Sequence, residues 1–231
     1  MTSAATLLRS LCRSNRALLR QKVALLDALT ARHGPDGLAA ATEVFTKPCP
    51  IVGASIGQHL RHSMDHMELA ALVAEARLGT AYDAPADAEE PAQIHYDLRV
   101  RGGTLETDMA ESRKRIVAVE TVLEGIHDAV AAGLNGVASH IVHGPVHASF
   151  YLSADDAEDD TSREGESSES ALPSTVGREL GFAAHHAIHH LAMVRVIALH
   201  SAGLEEEDLP PDFGRAPSTV RYANDPEIRR S

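Results

Sequence analysis

The chain has 231 residues, with 33 acidic against 21 basic side chains, a formal charge of -12 and 44% hydrophobic residues. That length suffices to bury a core as one domain, while the acidic balance opposes phosphate-backbone binding, which needs clustered Lys and Arg to release counterions. No apolar run approaches the ~20 residues of a membrane span, and Cys12 and Cys49 are too few for a disulfide framework, which points to a reducing compartment.

From Leu7 to Ala31, apolar residues including Leu8, Leu11, Leu18, Leu19, Leu25, Leu26 and Leu29 recur at helical spacing and predict helix one. Residues 1–14 are its N-terminal extension or a targeting segment, because Arg9, Arg13, Arg16 and Arg20 occur among Ser, Ala and Leu with no acidic residue before Lys22. Localisation is accordingly read as cytoplasmic, with an organelle as the alternative. His33-Gly34-Pro35-Asp36-Gly37 stops the helix, and Leu38 to Val52 reads as a loop with a short helical turn before Pro48 and Pro50. Cys49, between those prolines, is read as a bystander.

Helix two is predicted from a Ser55 cap to Arg77, ahead of Gly79. It carries His59, His62 and His66. His59 and His66 fall on nearly one stripe, but at ~1.5 Å per residue they lie about 10 Å apart along the axis. One ion therefore cannot bind both, and His66 reads as a group lining the pocket or shuttling protons.

Tyr82 to Pro91 is read as an acidic surface loop, and the charges of Tyr96-Asp97-Leu98-Arg99-Val100-Arg101 as a local brace. Thr104 is expected to cap helix three, with Glu106 and Asp108 favoured by its dipole and Met109, Ile116, Val119, Leu123 and Ile126 on its core face, to about Ala132. Val137 to Leu152, divided by Gly144-Pro145, reads as two short strands or a hairpin. His127, His140, His143 and His147 are read as structural or solvated. Ser153 to Ser170 is acidic and nearly devoid of apolar residues, so it is expected to be disordered.

Thr175 to Ser201 then predicts one buried helix that holds His185-His186-Ala187-Ile188-His189-His190. Residues four apart share a face, so His186 with His190, or His185 with His189, could hold one ion. Imidazoles buried in an apolar helix are costly unless each finds a partner, and a divalent ion is a partner several can share. An open transition-metal site needs a third protein ligand, for which His59 is the leading candidate. No His-Glu-x-x-His peptidase motif occurs. After Leu209-Pro210-Pro211 the tail is read as irregular, with Phe213 and Tyr222 as anchors.

These residues resemble the DinB-like family, in which a histidine early in the second helix joins two histidines, four apart, in the last. The matching segments are His59 in Ser-Ile-Gly-Gln-His, and His186 with His190 in His-Ala-Ile-His-His. Ile94 to Arg101 and Phe213 to Thr219 also look like an uncharacterised subgroup, so the resemblance covers the chain from about Asn15 onward. It implies an all-α fold: a DinB-like four-helix bundle over residues 15–202, with a short β-hairpin insertion between helices three and four, a disordered acidic loop at 153–172, and a tail at 203–231 packed on the bundle. It implies metal ligands His59, His186 and His190, with His185 and His189 outside the ligand set, and a divalent metal; three neutral imidazoles suit zinc first, with nickel or iron next. Leu191-Ala192-Met193 departs from the Arg-Gly-Gln that often follows the last family histidine, which speaks against the thiol-transferase subset.

The function expected on this basis is a metal-dependent enzyme, of transferase or hydrolase type, acting on a small molecule, with a low-molecular-weight thiol as one substrate class. His62 and His66 are the expected catalytic proton carriers. The alternative is a non-catalytic, metal-stabilised helical module, and either could be a homodimer. Neither nucleic acid nor a membrane is expected as a partner.

Overall fold

A computed structural model describes residues 2–33, 37–80, 90–98, 102–133, 135–152 and 169–225. Among them the chain is mostly helical with one small three-stranded sheet. The helices are α1 (Ala4–His33), α2 (Leu38–Thr46), α3 (Ile56–Thr80), α4 (Thr104–Thr107), α5 (Met109–Ala131), α6 (Asn135–His143), α7 (Val176–Ser201) and α8 (Pro217–Asn224). The strands are β1 (Ala92–His95), β2 (Pro145–Phe150) and β3 (Ser170–Thr175). None of the described helices is long and apolar enough to cross a membrane.

Two compact units interleave along the sequence. The first comprises Met1–Asn15, Asp65–Arg101 and Thr121–Ala183; the second comprises Arg16–Met64, Gly102–Glu120 and Ala184–Ser231.

The first unit contains the sheet. Strand β2 is central, parallel to β1 (Ile94 opposite Ala148) and antiparallel to β3 (Leu172 opposite Ala148). Pro173 has no amide hydrogen for a ladder and is tolerated because β3 is an edge. Ile94, Val146 and Ala148 turn to the interior, with Leu8, Cys12, Leu123, Ile126 and Leu180 among the other buried apolar side chains of this unit. Asn15 is buried too, its amide donating to the carbonyls of Leu11 at 2.9 Å and Leu180 at 3.0 Å.

In the second unit Leu18, Leu19, Leu25, Leu26, Leu29, Phe45, Leu60, Met64, Leu191, Val194 and Phe213 are buried. Helix α3 begins with a reciprocal cap. The Gln58 amide donates to the Ser55 hydroxyl at 3.1 Å, and the Ser55 amide donates to the Gln58 side-chain oxygen at 3.0 Å. Gly57 is required in the next position, because a Cβ there would lie 2.2 Å from the carbonyl oxygen of Glu106.

Three expectations are corrected. Leu38–Thr46 is a nine-residue helix, longer than the short turn expected within a loop, since burial of Ala41 and Phe45 gives it an apolar stripe. Helix three is broken at Asp108, whose backbone is extended and whose carboxylate accepts the amides of Ala110 at 2.8 Å and Glu111 at 3.2 Å, making Asp108 the cap of α5. Residues 137–152 do not form a hairpin. Val137, Ala138, Ile141 and Val142 are buried at helical spacing, so the segment before Gly144 is α6, and the strand partner of β2 comes from 170–175.

Ordered structure also begins before the end of the stretch expected to be disordered, at Ser170; residues 153–168 lie outside the described residues. So do residues 82–89 of the expected acidic loop and 99–101 of the expected brace. In the tail a 3-10 turn at Glu206–Asp208 and α8 replace an irregular course. Phe213 anchors it while Tyr222 is exposed, and Gly214, at φ 66°, approaches the Leu191 carbonyl oxygen too closely to carry a Cβ.

Candidate metal centre

Four histidines of the second unit meet, two from α3 and two from α7. His59 Nδ1 lies 2.8 Å from His190 Nδ1. His190 Nε2 lies 3.1 Å from His186 Nε2, which in turn is 3.1 Å from His62 Nε2. Three Nε2 atoms thus converge, and His59 bonds the far side of the His190 ring. His62 has a ligand nitrogen within 4.8 Å of one on His186. This cluster could hold a metal ion.

The local sequence explains the convergence. His59 and His62 are three apart, and His186 and His190 four apart, so each pair presents adjacent side chains on one helix face. His190 is buried, His59, His62 and His186 are half-buried, and His185 and His189 are exposed. The alternative pair therefore points outward, although the His189 ring remains 5.3 Å from that of His190.

Burial and neighbouring rings favour the neutral form of two of these histidines, His190 and His59. Burial, followed by the neighbouring His186, His62, His59 and His189, pushes the His190 pKa down to about 2. Burial and then His189 lower His59 as well. Neutral imidazole is the form that offers a lone pair to a metal.

A network of neutral imidazoles alone satisfies this geometry poorly. Each ring nitrogen carries either one proton or one in-plane lone pair, yet His186 Nε2 faces two nitrogens at hydrogen-bond distance. Ligands at ~2.05 Å from a common ion, separated by 90–110°, would themselves stand about 2.9–3.4 Å apart, and both Nε2 separations of 3.1 Å fall in that range. The donor set fits a divalent ion.

Buried polar contacts tie this part of the second unit together. Lys22, fully buried, donates to the Ser63 hydroxyl at 2.8 Å, and Ser63 donates to the carbonyl oxygen of His59 at 3.0 Å. Arg61 and Glu106 form a buried ion pair at 2.8 Å. Cys49 is buried, its sulfur accepting the Ser201 hydroxyl at 3.1 Å.

His66 belongs to the first unit. It is buried and stacks on Tyr96, with ring centroids 4.4 Å apart and an interplanar angle of 15°, and meets Phe182 edge-on at 5.6 Å. The Tyr96 hydroxyl donates to the fully buried carboxylate of Glu179 at 2.7 Å, and Ser174 and Arg178 also donate to that carboxylate. Burial, then the Glu179 charge, raises the Tyr96 pKa well above the ordinary phenol value. Sequence reasoning did not find this cluster, because nothing in the spacing of Tyr96 and Glu179 connects them.

Gly53-Ala54-Ser55-Ile56-Gly57 has the Gly-x-Ser-x-Gly spacing that can mark a nucleophilic serine. Here Ser55 is 1% exposed and caps α3, and the preceding described elements are a helix and a turn, not a strand. It is a structural serine.

Comparison of the chain with family models, curated proteins and solved structures returns no match.

Proposed function

We propose that His62, His186 and His190 hold a divalent metal ion, that His59 fixes the His190 ring from behind, and that the protein is a metal-dependent enzyme of DinB-like type. The observation that carries this reading is His186 Nε2, which lies 3.1 Å from two other Nε2 atoms and can satisfy only one of them through a hydrogen bond. The ligand set differs from the one the family resemblance implies in exchanging His59 for His62. His59 then becomes the partner on the second ring nitrogen that metal-bound histidines commonly have. Three neutral imidazoles suit zinc first, then nickel or iron.

An ion held by three imidazoles with an open position polarises a carbonyl or lowers the pKa of a bound water or thiol. A transferase or hydrolase acting on a small molecule, with a low-molecular-weight thiol as one substrate class, follows from that chemistry. The half-burial of His62 and His186 supports access for such a molecule. We assign the protein to the cytoplasm on its cysteine usage.

The test is metal analysis of protein purified without chelator, beside His186→Ala and His62→Ala, with circular dichroism to establish that each variant folds. Stoichiometric metal in the native protein and its loss from both folded variants is expected. Native protein that carries no metal and takes up none on titration with zinc, nickel or iron would overturn the reading. Retention by His62→Ala together with loss from His59→Ala would restore His59 as the third ligand.

A further inference from the structure

In the first unit a cavity of about 270 Å³ opens between the sheet and the first turn of α7. At ~30 Å³ per water it holds roughly nine waters, at the small end of ligand sites. Its walls are chemically divided. Ala148 and Phe150 of β2 and Leu172 and Pro173 of β3 supply apolar lining, whereas Ser174, Thr175 and Arg178, running into the start of α7, supply polar groups.

The Arg178 guanidinium is fixed in place. Its carbon sits 4.8 Å from the centre of the Phe182 ring, and Nη1 donates to Glu179 at 2.8 Å. Among the described residues its side chain donates to no other acceptor, and it is 56% exposed. The Thr175 hydroxyl oxygen accepts the Arg178 amide at 3.2 Å, which leaves its own proton to donate.

We propose that this cavity binds a small monocarboxylate with an apolar or aromatic body. The planar guanidinium fork matches a carboxylate, and Thr175 adds a donor beside it. The body of the ligand lies on Phe150, Ala148 and Leu172. Single charge is favoured because Arg178 is shared with Glu179, so the two charges of a phosphate ester would meet more repulsion and less compensation than one carboxylate does. This site is independent of the metal reading.

The probe is benzoate, titrated into the full-length protein and followed by ligand-observed saturation-transfer NMR. Saturable binding with Kd on the order of 1 mM is expected, weakened about ten-fold or more for neutral benzamide. Arg178→Met should lose the same factor. Leu172→Trp fills the cavity from a position that is 47% exposed, so it folds and abolishes binding even if the arginine variant does not fold. His186→Ala should bind benzoate as the native protein does, which separates this site from the metal centre. Equal binding of benzamide and benzoate, tighter binding of phenyl phosphate, native-like binding by folded Arg178→Met, or loss of binding in folded His186→Ala would each overturn the proposal.

Discussion

Replacing Gly57 with alanine sets two opposed effects against each other. Alanine is the better helix former by up to about 1 kcal/mol, and position 57 is in the first turn of α3. Against that gain, the new Cβ would stand 2.2 Å from the Glu106 carbonyl oxygen and 2.8 Å from Phe45 Cε1. Backbone cannot rotate aside as a side chain can, so α4 or the start of α3 must move by roughly 1 Å to reach van der Waals separation. Overpacking of this kind costs about 1–3 kcal/mol and sometimes more. The movement also strains the buried Arg61–Glu106 pair. The net expectation is a loss of about 2 kcal/mol, read as a lower urea midpoint with an unchanged slope. His59 lies two residues further on, so the Gly57→Ala protein should also show weakened metal retention. A midpoint equal to or above that of the native protein would show that helix propensity wins and that the close approach of α3 to α4 is not a constraint.

Acidification of chelator-treated protein should destabilise it from near neutrality downward. The native pKa of His190, about 2, lies below the unfolded value near 6.5, so between those limits the unfolded chain binds a proton that the native chain does not. Its contribution is fully present above pH 6.5 and falls by about 1.4 kcal/mol per pH unit below it, or about 2 kcal/mol by pH 5. The depressed pKa of His59 acts in the same direction. Urea midpoints measured from pH 8 to 5 should therefore slope less in His190→Gln, and parallel profiles would refute the assignment. Tyr96→Phe removes one donor from the buried Glu179 carboxylate and should cost about 1–3 kcal/mol in urea unfolding. Because Tyr96 resists ionisation, the phenolate absorbance reached at roughly pH 12 should be the same in that variant as in the native protein; a drop would show that Tyr96 titrates normally. Asn15→Ala deletes the amide that ties Leu11 to Leu180, and should lower stability by about 1–2 kcal/mol in the same assay.

The long helices were legible because their apolar residues keep one period for many turns, and the Ser55 cap because its Gln58 partner lies within the same turn. The pairing of His186 with His190 on one face of α7 was likewise readable from helical spacing. What spacing could not give was which nitrogen faces which. His62 was read as a proton carrier, yet its Nε2 meets that of His186, while His59 meets His190 at the other ring nitrogen, Nδ1. Such details depend on helix rotation and on rotamers, which tertiary packing sets. The segment before Gly144 was misread because a nine-residue run rich in Val and Ile fits a strand as well as a buried helix. The break at Asp108 was missed because Asp favours both a first turn and the cap that starts a new one.

The order of the strands bears on how the chain finds its structure. Gln93 and His147 face each other in the parallel pair although 54 positions separate them. Strand β2 must also meet β3 on its other side, so no part of this sheet can assemble from a local hairpin of β1. Closing so long a loop costs chain entropy before any ladder bond returns it. The helical segments, whose contacts are near in sequence, should accordingly protect their amides from hydrogen exchange early in refolding, and the amides of β1 should be among the last to slow.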